Sequence, residues 1–335
     1  MMSHPSASRV PAWLQPLLWP VIALVVLLLF NLWFTEGFAR IEIKDGHLYG
    51  SVVDVLKQAS RVMLVSLGMT LIIATGGVDL SVGAVIAIAG SVAAQLLVQA
   101  HAGLAAAILS TLGVCLGLGM WNGALVAWCG VQPIVATLIL MVAGRGVAQL
   151  LTDGQIVTVE RAGFTFIAGG YFFGLPFPVT LVVLALLFTA VLTRKTAMGL
   201  FIESVGNNET ASYFAGVNAR AVKIFAYAFC GFCAGAAGLV EASTIKAADA
   251  NNAGLYLELD AILAVVIGGT ALTGGRFNLL GSLVGALIIQ TLTTTILTRG
   301  VPVQYTLVVK AVVVLAVCLL QSEPFRARFM RGRSA

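Results

Sequence analysis

Long apolar runs recur along this chain, each interrupted by glycine, proline or a short polar patch rather than by a regular alternation. Alternation would predict half-buried strands, whereas unbroken runs of about 20 residues predict helices that cross a bilayer. Eight such runs lie at 17–33, 82–98, 104–128, 134–151, 179–192, 224–240, 279–297 and 303–320. Two shorter ones, 61–75 and 261–273, run into glycine. Together they predict an all-α integral membrane protein of about ten transmembrane or half-membrane helices, with two glycine-broken elements and a single domain over residues 1–335. Gly113-x3-Gly117, Gly119-x3-Gly123, Gly231-x3-Gly235 and Gly281-x3-Gly285 predict close helix contacts, because glycine lets two backbones approach.

Composition agrees with lipid as the solvent: of 335 residues, 59% are hydrophobic and 10% charged, with a mean hydropathy of +1.01. One aqueous core could not hide so much apolar surface. A soluble enzyme, a disulfide-stapled secreted domain and a nucleic-acid binder are argued against, and the net charge of +5 is read as orientation. Arg326, Arg328, Arg331 and Arg333 crowd the last residues, and Arg194, Lys195, Arg220 and Lys223 bracket the 194–223 loop, the pattern of cytoplasmic segments. With six crossings before that loop, the tail at 1–16, the loop and the basic tail at 321–335 would all lie on the cytoplasmic side. The run at 17–33 follows Arg9 without a small-residue cleavage site, so it is read as a retained first span. Cys230-Gly-Phe-Cys233 sits in an apolar run with no second pair or histidine nearby and reads as small packing residues.

Polar residues break this pattern in three places. The first is Ile73-Ala-Thr-Gly-Gly-Val-Asp-Leu-Ser-Val-Gly83. A carboxylate at a helix centre in lipid costs about 3 kcal/mol, whereas at a helix N-terminus it gains about 0.3–1 kcal/mol, which puts Asp79 at a helix break. Gly76 and Gly77 would free the backbone, and Asp79 or Ser81 would cap the helix from Val82. Broken helices at membrane depth persist only where backbone is buried in protein or lines a cavity, so Asp79 is open to two roles, a cap facing protein or part of a pathway. The second break, between Leu259 and Arg276, lacks the lysine of a phosphate loop, so no nucleotide site is expected. Asn122, Arg145, Asn251 and Asn252 are further embedded polar residues. Arg145 suits either a structural ion pair or a pathway, and the run 247–254 either a solvated loop or a surface for hydroxyl-rich solutes. The third place is 201–218, where Asn207 or Asn208 would cap a short helix over 209–215 stopped by Gly216, leaving Tyr213 and Phe214 exposed, as a docking element or as an ordinary surface helix.

Taken together, Thr75-Gly-Gly-Val-Asp-Leu-Ser-Val-Gly83, Val205-Gly-Asn-Asn-Glu-Thr-Ala-Ser-Tyr-Phe-Ala-Gly-Val217 and Glu258-Leu-Asp-Ala-Ile-Leu-Ala-Val-Val-Ile-Gly-Gly269 resemble the permease subunits of bacterial ABC sugar importers of the ribose type, over nearly the whole chain. Within that family, Asn122-Gly, the run 132–149 and Ala248-Asp-Ala-Asn-Asn-Ala-Gly-Leu255 are similar to permeases that import galactofuranose. The resemblance implies a non-catalytic subunit of the bacterial inner membrane, without a cofactor or metal. Its implied partners are an ATP-binding subunit, a periplasmic sugar-binding protein, a second permease copy or paralogue, and membrane lipid, with no nucleic acid. It implies that Gly206, Asn207, Glu209, Ala211 and Gly216 face the ATP-binding subunit, and that Gly76, Gly77, Asp79, Ser81, Asn122, Arg145, Asn251 and Asn252 lie along the pathway. Tyr213-Phe214 is bulkier than the family's usual pattern. An ion-coupled secondary transporter is the alternative reading, since broken helices serve it equally well.

Overall fold

The computed structural model describes residues 15–321 apart from positions 36, 39, 41, 45, 46 and 301. The N-terminal tail to residue 14, and the tail from 322 with Arg326, Arg328, Arg331 and Arg333, lie outside the described residues. In chain order the helices are α1 (Gln15–Phe34), α2 (Ser51–Ala74), α3 (Val82–Ala94, continued by a π-helical turn Gln95–Gln99), α4 (Leu104–Ala127), α5 (Pro133–Leu151), α6 (Ala162–Gly169), α7 (Phe177–Lys195), α8 (Met198–Asn207), α9 (Glu209–Phe214), α10 (Ala219–Ile245), α11 (Leu257–Ile267), α12 (Leu279–Thr298) and α13 (Val303–Gln321). Among the described residues, strand is confined to three short antiparallel pairs, of which Val157–Thr158 with Ala247–Ala248 joins distant parts of the chain.

Among the described residues, α1, α2, α3, α4, α5, α7, α10 and α12 are long and apolar enough to span a bilayer, and the predicted span at 303–320 forms α13. The segment read as short at 61–75 is in fact the second half of α2, a 24-residue helix. Asp54, Lys57 and Gln58 in its first turns interrupt the apolar run without interrupting the helix, and Asp54 there favours the positive end of the helix dipole. By contrast α11, with 11 residues, is about 16 Å long, half the hydrocarbon thickness. The short helix α6 between α5 and α7 has no signal in the apolar pattern.

Burial divides the helices into two sets. Two-thirds or more of α2, α3, α10 and α12 is inside the protein, against less than a third of α1, α4, α5 and α7, although α3 is as apolar as α4 and α5. Helix α4 crosses α10 closely. A methyl group at Gly119 would overlap the Tyr227 carbonyl, and one at Gly123 would lie 2.7 Å from Ile224 Cα, so two of the glycine pairs face each other here. Gly281 and Gly285 do the same for α12 against Gly268 and Ala264. Gly113 and Gly117 do not: nothing lies within 4 Å of a methyl group placed on either. Cys230 packs against Gly68 of α2, and Cys230 and Cys233 are buried free thiols. Helix α1 is tied to α12 by Asn31, whose Nδ2 donates to Thr295 Oγ1 at 2.7 Å, and by the Arg299 guanidinium over the Phe34 ring at 5.2 Å.

Candidate functional site

The first break begins where α2 runs out of helix formers. Gly76 adopts φ +80°, a conformation that L side chains resist, and Gly77 lies beneath Tyr227, whose hydroxyl donates to the Val78 carbonyl at 3.2 Å. The chain then turns into α3 on Asp79. Its Oδ1 accepts from the Ser81 amide at 2.8 Å and the Ser81 hydroxyl at 2.6 Å, and Asn122 Nδ2 of α4 donates to that hydroxyl at 2.9 Å. Neither Asp79 nor Ser81 caps α3 as the sequence suggests: among the described residues Asp79 bonds only to Ser81, the residue before the helix, in an Asx turn, and no side chain accepts from the first amides of α3. Asp79, Ser81 and Asn122 are at most 2% exposed and bonded to one another, so direct contact with a solute is not what this conformation presents. The reason is economy of polar groups: at membrane depth, a carboxylate already satisfied by two donors at a helix start is less costly than one facing an open space.

The second break differs in carrying a side-chain cap. Asn278 caps α12 by accepting from the Gly281 amide at 3.1 Å, and its own amide donates to Thr270 Oγ1 at 3.1 Å. Between them the loop folds back on the first break, and the Gly275 amide donates to the Ala74 carbonyl at 3.0 Å. The end of α8 closes the junction. A methyl group on Gly206 would overlap the Ala74 carbonyl and lie 2.6 Å from the Gly275 nitrogen, while Asn207 rests on Gly275. Three segments far apart in sequence therefore meet backbone to backbone at Ala74, Gly206 and Gly275.

Helix α9 follows immediately. Asn208, not Asn207, caps it, with Oδ1 accepting from the Ala211 amide at 2.9 Å; Asn207 belongs to the last turn of α8. The helix ends at Phe214 and Gly216 turns the chain at φ +83°. Lys223 Nζ on α10 pairs with Glu209 Oε2 at 2.6 Å. Asn207, Glu209, Ala211 and Gly216 are exposed on this face, whereas Gly206 points into the junction. Tyr213 and Phe214 are 71% and 82% exposed, beside a cleft of about 1250 Å³ that also takes in Trp128, Arg220 and Phe225.

On the opposite side, the non-helical run between α10 and α11 descends along α3. A methyl group on Gly90 would touch Ala248, and one on Gly83 would lie 2.5 Å from the Gly254 carbonyl, so residues 248–254 lie at the depth of a spanning helix. Arg145 of α5 holds this run with no ion pair among the described residues. Its Nη1 donates to the Ala250 and Ala253 carbonyls at 3.1 and 2.6 Å. Gln149 Nε2 donates to Asn251 Oδ1 at 2.7 Å, Asp249 accepts from the Asn251 and Asn252 amides and from Asn252 Nδ2, and the Gly254 amide donates to Glu241 Oε1 at 3.1 Å. Glu241 and Asp249 stand out in the sequence as polar residues embedded near apolar runs, whereas Gln149, at the end of the apolar run of α5, does not. Arg145→Met should release the two carbonyls, each bond to a charged donor being worth about 1.5–3 kcal/mol. The expected result is at least tenfold faster hydrogen exchange over 249–254, with α2 and α10 unchanged, measured by mass spectrometry in detergent.

A bundle of spanning helices with two glycine breaks, joined to a small capped helix on one face and a polar non-helical run on the other, defines a helical membrane permease. Sequence comparison gives its family: residues 51–318 match the family described as branched-chain amino acid transport system / permease component, and the chain belongs to it. Relatives include the galactofuranose transporter permease protein YtfT of Escherichia coli K12, 53% identical with 92% of this chain and 91% of that protein covered. The fructose import permease FruF of Bifidobacterium longum is 39% identical, covering 91% and 87%. The ribose import permease RbsC of Escherichia coli K12 is 36% identical, covering 90% and 92%. No solved structure matches the chain.

Proposed function

We propose that this chain is the membrane subunit of an ATP-driven importer of a monosaccharide, galactofuranose being the sugar favoured by the 53% identity to the galactofuranose permease. The observation that carries the mechanism is the junction of Ala74, Gly206 and Gly275, because it ties α9 to both helix breaks through backbone contacts that have no slack. In this reading α9 lies in the cytoplasm, with both termini on the same side, and docks on a separate ATP-binding subunit through Glu209, Ala211, Tyr213 and Phe214. Movement of α9 on nucleotide binding displaces Gly206, and with it the ends of α2 and of the 268–278 loop. The permease itself breaks no covalent bond; it supplies two packings whose relative energy the partner changes.

The solute path in this proposal runs past Asn251, Asn252 and Gln149. Asn251, Asn252 and Gln149 are exposed at the depth of α3 and α5, where polar groups do not face lipid, so a watered path shared with a second copy or a paralogue is the environment that satisfies them. Gly76, Gly77, Asp79, Ser81, Asn122 and Arg145 then hold the walls of that path, and a periplasmic sugar-binding protein delivers to its mouth. Gly216→Trp tests the coupling half. It should leave insertion intact and reduce ATP-driven uptake at least tenfold in proteoliposomes while ATP hydrolysis continues. Unchanged uptake by that variant, or uptake that follows an ion gradient with ATP absent, would refute the reading.

A further inference from the structure

A second cavity, of about 580 Å³, opens between α4, α6, α7 and α10, away from both the α9 cleft and the polar run. Its floor is Leu64 and Cys233, both buried, and its rim carries Phe166, Leu184 and Phe188, which are 47%, 57% and 56% exposed. Its lining has no charged or amide side chain. Such a cavity does not hold water, which needs two to four polar partners. Because its walls are spanning helices, the medium at its opening is hydrocarbon. A neighbouring helix does not fit, since 20 Å of helix about 10 Å across takes on the order of 1,500 Å³. The end of the groove away from α9 is marked by a cation. Leu104 and Gly163 line that end, and Arg161, two residues before Gly163, donates from Nη1 to the Ala102 carbonyl at 2.6 Å. Arg161 is exposed, and among the described residues no carboxylate lies within ion-pair distance of it. A guanidinium in that position matches a phosphate.

We infer that this groove is a phospholipid site: one acyl chain fills the space between α4, α7 and α10, and the headgroup phosphate pairs with Arg161 in the leaflet opposite α9. The shape is held by the protein rather than by the lipid. Ser243 of α10 donates to the Phe164 carbonyl at 2.8 Å and accepts from the Ala168 amide at 2.9 Å, which fixes α6 at the entrance. The occupant completes the packing of α7 against α2 and α10, since Leu64 and Cys233 have only the cavity on one side.

The test is photolabelling of the intact permease in vesicles of phosphatidylethanolamine and phosphatidylglycerol doped with a phosphatidylglycerol that bears a diazirine on one acyl chain. Label should concentrate several-fold on peptides containing 181–188 and 232–239 over the lipid-facing 138–142 of α5. Ala236→Phe, which fills the groove, should remove that excess and leave α5 labelling unchanged. Arg161→Gln, an exposed change that leaves the fold alone, should lower the phospholipid retained after delipidation, read by native mass spectrometry. Even labelling of α5 and α7 would overturn the site, as would Leu184→Cys forming a disulfide between two copies. Undiminished retention in Arg161→Gln would overturn the phosphate assignment.

Discussion

Gly206→Val is expected to reduce ATP-driven uptake about ten- to hundredfold in a permease that still inserts and assembles. The side chain has nowhere to go. Its first carbon would overlap the Ala74 carbonyl and approach the Gly275 nitrogen to 2.6 Å, and both are backbone atoms that cannot rotate aside as a side chain would. Overpacking of this kind costs about 1–3 kcal/mol, and here the strain falls on the contact joining α9 to the two breaks. Gly113→Val is the control, because nothing lies within 4 Å of a methyl group there and lipid accommodates it. The checks are uptake and ATP hydrolysis by the reconstituted complex, with hydrogen exchange over 74–81 and 270–278. Wild-type uptake by Gly206→Val would show that movement passes from α9 to the bundle by another route.

Asp79→Leu should be the most destabilising single change within the first break. The carboxylate accepts two hydrogen bonds from Ser81, and Ser81 in turn accepts from Asn122, so leucine leaves a buried amide and hydroxyl without their acceptor. An unsatisfied buried donor costs about 1–3 kcal/mol, and two of them would consume much of a typical stability of about 5–15 kcal/mol. Asp79→Asn keeps the shape and one oxygen, so the Ser81 amide retains a partner and most of the loss is avoided. Thermal unfolding in detergent should rank wild type above Asp79→Asn, and Asp79→Asn well above Asp79→Leu. Equal melting of the two variants would remove the Asp79–Ser81 turn from the account. Uptake by Asp79→Asn separates the roles further: near-normal uptake fits a structural turn, whereas loss with normal stability requires a direct part in the path.

Much of this architecture is readable without coordinates because a bilayer imposes one rule on every crossing: backbone groups must be satisfied within the segment, so length and apolarity predict a helix. Helices α1, α4, α5 and α12 follow from that rule within a few residues. The cap of α9 is legible too, because asparagine before a short polar-apolar segment and glycine after it carry their own local chemistry. The rule fails where polarity and helix part company. Asp54, Lys57 and Gln58 conceal the first half of α2, and α6 is too short to register. The local signal also left Asn207 and Asn208 equivalent as caps, and the geometry of one hydrogen bond to Ala211 chose between them.

What the sequence by itself determined is everything that depends on neighbours along the chain: the apolar crossings, the two glycine breaks, the capped helix at Glu209 and the kinship of its motifs. What only the tertiary structure decided is which surfaces meet. Hydropathy alone does not tell α3, two-thirds or more buried, from α4 and α5, each less than a third buried, since all three are equally apolar. Nor can it show that Gly119-x3-Gly123 is a helix contact while Gly113-x3-Gly117 is not, or that Arg145 holds two carbonyls rather than an acid. The meeting of Ala74, Gly206 and Gly275 spans 201 positions between Ala74 and Gly275, and no local preference encodes it. In lipid the hydrophobic effect gives no reason for one apolar face to choose another. Pairing is settled by which small residues let backbones touch and which polar groups find partners, and both are properties of two surfaces together.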